Sequence, residues 1–278
     1  MRQQIDELDE RYRIDEEQEG SCASLTFDHV IVGSPQSNIA FRDLEEQKKS
    51  DMAFTRFRIR LADFFNNFLP SHGIELPGGK LVKFSKEDMV SVSHSAISDL
   101  AAHLNFQITE YRYIKVNYES TVDWRQKTDY LRCNPSFHGL PRFDYIIFRT
   151  PSKMVFAKLV FIFVCTIGDT SYPIALVQAY DRPTGQHRRK DKDLGFYRIQ
   201  GKPRNMCEFI SIHTIIRGAL LSEDYEKPGD FLVMDVIDTD MFLRMKSLQF
   251  WQILHRCNLL SSWPAPYFSF SINLTHLG

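Results

Sequence analysis

Between Arg182 and Arg204 the chain carries eight bases, Arg182, Arg188, Arg189, Lys190, Lys192, Arg198, Lys202 and Arg204, against only Asp191 and Asp193, a local net charge of +6. Guanidinium and ammonium groups at that density can neutralise phosphates and release their counterions. The rings of Phe196 and Tyr197 lie in the same segment and offer surfaces on which a base could stack. The run also fits a nuclear import signal, or a solvated loop partly neutralised by the acidic stretch from Glu223 to Asp240.

Other chemistry is weakly represented. Asp235, Asp238 and Asp240 invite a hard divalent cation, which takes convergent carboxylate oxygens. On a strand, however, Asp238 and Asp240 share a face while Asp235 points away. A polar strand end is the plainer reading, and no metal is expected. The nine histidines show no paired ligand spacing, and there is no nucleophile elbow or Cys-His signature. Gly185 and Gly195 frame TGQHRRKDKDLG, which lacks the order of a phosphate-binding loop. The reading is of a protein that is not an enzyme, with no cofactor and no small-molecule substrate.

The bulk composition is that of a globular protein. The 278 residues are 43% hydrophobic and 25% charged with a formal charge of −1, which excludes a disordered, collagenous or coiled-coil chain. Near-neutrality argues against electrostatic binding by the whole surface and leaves local patches. The 22 phenylalanines point to a core built from large rings. Five widely spaced cysteines without a CxxC fit reduced thiols in the cytosol or nucleus. Met1 to Glu19 holds eight acids and three bases, unlike a secretory signal. The longest apolar run, Met154 to Ile167, is interrupted by Lys158 and is shorter than the roughly 20 residues of a membrane span. No membrane association is expected.

The elements that must hold the basic segment divide the chain. Residues 1–24 read as a disordered acidic tail. Residues 25–107 read as a helical region after a short run through Val30, Ile31 and Val32. Phe54, Phe57, Leu61, Phe64 and Phe68 recur at steps of three and four and Pro70 closes the first helix, while Arg56, Arg58 and Arg60 fall mostly on its solvated side. Ser85 and Asp88 form a capping box for a second helix with Ile97, Leu100, Ala101 and Leu104 on its stripe.

Beyond Gln107 the character turns to β. In ITEYRYIKVNYES, Tyr111, Tyr113, Lys115 and Asn117 alternate with Arg112, Ile114, Val116 and Tyr118. CNPSFHGLPR, with two prolines and a glycine, reads as a loop. FDYIIFRT, MVFAKLVFIFVCTI, YPIALVQAY, EFISIHTIIRGALL and DFLVMDV then read as closely spaced strands, too close for parallel crossovers and therefore antiparallel. A small sheet must hide its edges, so residues 108–246 are expected to close into a barrel with Leu159 to Cys165 as its most buried strand. Residues 247–278 form an apolar C-terminal tail with helix-like spacing in its first half. The fold class expected is α+β, a helical N-terminal part followed by a small antiparallel β-barrel.

The phrases ITEYRYIKVNYESTVDWRQKTDYLRCNPSFHGLPRFDYIIF, YPIALVQAYDRPTGQHRRKDKDLGFYRI, EFISIHTIIRGALL and GDFLVMDVIDTDMFLRMK together resemble the C-terminal region of fungal Plavaka-type transposase-derived proteins. The order of the strands also resembles a bromo-adjacent-homology-like barrel. The likeness spans roughly Val30 to Lys246, while Ser91 to Leu104 and the segment after Ser247 depart from the pattern. No RNase H-like domain precedes this region, so the resemblance carries over no cutting activity. It implies a non-catalytic, transposon-derived fragment that binds DNA or chromatin proteins and resides in the nucleus, or otherwise in the cytoplasm. Tyr172, Tyr180, Phe196 and Tyr197 are the aromatics that such a module would turn toward a methylated cation, although rings in strands commonly serve the core. The alternatives from other classes are a metal-dependent nuclease using Asp235, Asp238 and Asp240, and a product without selected activity.

Overall fold

The computed structural model describes residues 25–71, 107–151, 153–167, 170–181, 190–191 and 193–256. The chain divides at Met234/Asp235 into two compact units. The centre of the first is a long antiparallel hairpin, β9 (Met154–Ile167) against β10 (Thr170–Asp181). Most residues of both strands are buried. A strand covered on one face alternates apolar with polar, and one covered on both faces does not. The nearly continuous apolar run of β9 is therefore the sequence signature of a strand between two layers.

Each outer edge of the hairpin is shared by two strands. The first part of β9 pairs with β8 (Tyr145–Arg149), and the later part with β4 (Gln107–Tyr111). On the other side, β12 (Glu208–Ser211) covers Ile174 to Val177 and β11 (Tyr197–Gly201) takes the end of β10. Outward from these lie β3 (Pro35–Ile39), β13 (Ile215–Ala219), β15 (Asp230–Val233) and β14 (Leu221–Glu223), completing a ten-stranded sheet. A second sheet runs in the order β1 (Leu25–Phe27), β2 (Val30–Val32), β5 (Tyr113–Glu119), β6 (Gln126–Phe137) and β7 (Leu140–Phe143). Every pairing among the described strands is antiparallel.

One bulge organises the layers. Leu176 faces Phe161 and Val177 faces Leu159, so Val160 is an extra residue in β9. An extra residue reverses the side-chain alternation beyond it. Val155, Ala157 and Leu159 before the bulge therefore share a cluster with Ile162 and Val164 after it, together with Val32, Ile114, Val116 and Leu131 of the smaller sheet. Val160, Phe161, Phe163 and Cys165 face the opposite way, into a cluster with α1 (Phe41–Gln47) and α2 (Phe57–Ser71). Phe57 sits at its centre, with ring centroids 5.6 Å from Phe54, 5.9 Å from Phe163 and 5.1 Å from Phe209. The result is three layers: helices, large sheet, small sheet.

This arrangement overturns the expected helical N-terminal part followed by a barrel. Both sheets are open. Closure is one way to hide edges, and here the large sheet instead ends in strands of five residues or fewer, β3, β12, β13 and β14, while added layers cover its faces. The first 15 described residues form β1, β2 and β3, and they pair into both sheets: β2 joins β5 and β3 joins β4. The helical part is thus a layer on the sheet.

Local expectations change too. The buried face of α2 is Phe57, Leu61, Phe65 and Leu69, while Phe64 and Phe68 are half-buried, and Pro70 lies inside the last turn. CNPSFHGLPR is a hairpin between β6 and β7, turned by His138 (φ 49°) and Gly139 (φ 81°), the positive pair of a type I′ turn. Its prolines are accommodated because Pro141 lies on the edge strand β7 and Pro135 falls where the register slips. The helix expected from Ser85 lies outside the described residues, as do residues 1–24 and 257–278.

The second unit contains α3 (Thr239–Arg256). Asp238 caps it: its Oδ1 accepts from the backbone N–H of Asp240 at 2.9 Å and of Met241 at 3.4 Å. Asp240 in the first turn pairs with Arg244 at 2.6 Å. Asp238 and Asp240 therefore stand at a helix start, and the strand expected there is corrected.

Candidate nucleic-acid interface

The described bases of the Arg182 to Arg204 segment lie on and beside β11, and most of them meet carboxylates. Arg198 projects from β11 into three: its Nη2 donates to Asp191 at 2.7 Å, and its Nη1 donates to Asp224 and, at 3.2 Å, to Asp230. Its hydrogen bonds hold the Asp224 carboxyl below the ordinary range and raise the guanidinium's own pKa. Asp191 is lowered first by the Leu194 N–H and then by Arg198. Lys202 pairs with Glu208, and Arg204 pairs with Asp51. Lys190 is exposed, its ammonium 4.8 Å from the centre of the Tyr197 ring. Arg182, Arg188, Arg189 and Lys192 lie outside the described residues.

The four aromatics are distributed through the large sheet. Tyr172 is buried with Phe65 at 5.6 Å and Phe68 at 6.5 Å, as part of the helix-side core. Tyr180 packs between Tyr145 at 5.6 Å and Phe231 at 4.8 Å, and burial raises its phenol pKa. Tyr197 is buried and Phe196 half-buried. Among the described residues, no three or more His, Cys, Asp or Glu side chains are grouped as a metal site would require. Of the arginines expected on a solvated helix face, Arg56 is exposed, while Arg58 and Arg60 are engaged. Arg58 donates to Glu45 at 2.9 and 2.6 Å. Arg60 donates to the Cys207 and Ala53 carbonyls, and burial lowers its pKa.

A different surface gathers rings and cations. In the small sheet, Ile114, Val116 and Leu131 point into the core, so Tyr113, Lys115, Asn117, Thr128, Tyr130 and Arg132 point outward. The register sets Tyr113 opposite Arg132, Lys115 opposite Tyr130 and Asn117 opposite Thr128. Each of the first two rows pairs a cation with a ring: Arg132 lies 4.9 Å from the Tyr113 centroid, and Lys115 4.9 Å from that of Tyr130. Arg132 is sandwiched, since Phe137 lies on it at 5.1 Å, and Arg142 lies on Phe137 at a further 5.1 Å. The ladder runs Tyr113, Arg132, Phe137, Arg142.

The ladder is held from below and at one side. The Tyr113 ring lies flat on Gly33, where an added Cβ would sit 2.2 Å from the ring. Asp144 accepts from Arg142 Nε at 3.0 Å and from the Arg132 backbone N–H at 2.7 Å. The outer members remain reachable: the Arg142 side chain is 42% exposed and Tyr130 is 40% exposed. Trp124, 69% exposed, stands in the turn that closes the β5–β6 hairpin. No ion pair to Lys115 occurs among the described residues. Counting bases along the sequence misses this face, because its members come from three strands. The signal that could have found it is the alternation of rings and bases in YRYIKVNY, whose outward half carries Tyr113 and Lys115.

No protein-family model matches the chain, and no curated protein matches it.

Proposed function

We propose that the chain is a non-catalytic binding module for nucleic acid. The observation that carries this reading is the outward face of the small sheet, where Lys115 lies over the exposed Tyr130 ring and the partly exposed Arg142 ends a stack of rings and guanidinium groups. Arg142 also pairs with Asp144, but the Tyr130 ring leaves the positive charge of Lys115 in place, where a carboxylate would cancel it. The bases of the β11 region that meet carboxylates are compensated by contrast, and Asp224 and Asp230 belong to the acidic stretch flagged from the sequence. The resemblance to transposon-derived proteins points in the same direction. The nuclease alternative gains no support from Asp238 and Asp240, which cap and pair at the start of α3. Among the described residues no helix is long and apolar enough to cross a membrane.

The test is fluorescence anisotropy with labelled oligonucleotides at several salt concentrations, with a trimethyl-lysine peptide as a second probe. Binding that weakens steeply with salt, and weakens further in Lys115→Glu/Arg142→Glu, is the expected result. Binding of the peptide without binding of any oligonucleotide overturns the proposal in favour of a chromatin-protein partner.

A further inference from the structure

We infer that the ligand of this face is a single strand, laid along the β5–β6 hairpin from Arg142 toward Trp124. The inference rests on the nucleic-acid reading and specifies the form of the ligand. Successive outward rows lie two residues apart, about 7 Å, and the first two present a ring beside a cation. The second row, whose ring is exposed, can meet one nucleotide with the ring under a base and the cation at its phosphate, while Tyr113 and Arg132 of the first are buried. A duplex keeps the faces of its bases stacked inside and offers the rings nothing. Reading its major groove takes a helix or a two-stranded ribbon that enters the groove, and a sheet face of this breadth does not fit there.

The accessible parts fix the roles. The Tyr113 ring is buried on Gly33 and under Arg132, so it supports the ladder and holds no base. Tyr130 is the exposed ring of the second row, and Lys115 above it is a flexible ammonium that can swing from the ring to a phosphate as a base arrives. Arg142 ends the ladder with a partly exposed guanidinium plane, a second surface on which a base can stack. The Asn117 and Thr128 row is polar, hydrogen bonded across the strands at 2.7 Å. Trp124 supplies a further ring at the hairpin end.

The experiment measures anisotropy of labelled dT12 and of a labelled mixed-sequence duplex with the full chain at one salt concentration. The expected result is at least tenfold tighter binding of dT12. Tyr130→Ala, an exposed substitution that leaves the core intact, should weaken dT12 about tenfold while Tyr130→Phe retains it. Lys115→Gln should lower the salt slope by about 0.7. Equal or tighter binding of the duplex, or dT12 binding indifferent to Tyr130→Ala and Trp124→Ala, overturns the single-strand inference and leaves the nucleic-acid reading standing. Absence of binding to either oligonucleotide by protein with a native circular dichroism spectrum overturns both.

Discussion

Arg204 clasps Asp51 across 153 residues of chain, donating from Nε at 2.9 Å and Nη2 at 2.7 Å to the two carboxylate oxygens. Asp51 Oδ1 also accepts from the Ala53 N–H at 2.9 Å and so caps the short helical turn Met52–Phe54. One carboxylate thus joins the helical layer to the chain entering β12.

That double duty predicts an acid dependence. The hydrogen bond from Arg204 holds the Asp51 carboxyl below its ordinary range, aided by the Ala53 N–H and opposed by burial. A carboxyl lowered in the folded state contributes stability in full above its unfolded value, about 3.9, and loses it as pH falls through the folded value. Asp51→Asn should therefore lower the denaturation midpoint at pH 7. The difference from the parent should close below pH 4, as followed by urea melts at several pH values.

Arg198 pairs with three carboxylates at once. Arg198→Met leaves Asp191, Asp224 and Asp230 facing one another, so the variant should melt at a lower temperature at pH 7. Protonating the carboxylates relieves their repulsion, and the gap from the parent should narrow toward pH 4. Arg198→Lys should recover only part of the loss, since an ammonium cannot present the planar fork that reaches three acids at once. A gap independent of pH would mean that packing of the side chain outweighs its charge.

Gly33 lies under the Tyr113 ring with no room for a methyl group. Gly33→Ala should cost about 1–3 kcal/mol of stability by overpacking. In the double variant Gly33→Ala/Tyr113→Leu the two changes should cost less together than separately, measured as a double-mutant cycle in urea. Additive costs would show that the close approach is relieved elsewhere.

The described thiols should be inert in the native state. Cys165 is pushed up to about 12 by burial, Cys207 to about 11 chiefly by burial, and Cys133 is raised as well. At pH 8 the reactive thiolate is scarce at all three, and the sulfurs are covered. Iodoacetamide mapped by mass spectrometry should modify them only after denaturant is added, and rapid native labelling of Cys207 would contradict its burial.

What the sequence revealed follows from how far apart the interacting residues lie. β9 has the bounds of its apolar run, Met154–Ile167, because burial of both faces writes itself into most positions. The openness of the sheets left no such mark: edges are handled by the shortness of β3, β12, β13 and β14, and a list of strand lengths serves a barrel equally well. The hairpin at His138-Gly139 was hidden by two prolines whose harmlessness depends on an edge and a register slip. Charge told the most partial story. The base count around Arg198 is a property of neighbours in sequence, and so is its pairing with Asp191, while the acidic stretch expected to neutralise the segment reaches it only as Asp224 and Asp230 across a sheet. The ladder on the small sheet was hidden for the same reason, since Tyr113, Arg132 and Arg142 become neighbours only through pairing in register.

The β9–β10 hairpin belongs to both cores at once, and this bears on how such a chain could be cut or recombined. A fragment without α1 and α2 would bare Phe161, Phe163 and Leu176 to solvent, and one without the small sheet would bare Leu159, Ile162 and Val177. Either stump would present a broad greasy surface and precipitate from dilute solution. Breakpoints that separate the helices from the hairpin, or the hairpin from the small sheet, are therefore closed to gene fusion, and the three layers can be inherited only together.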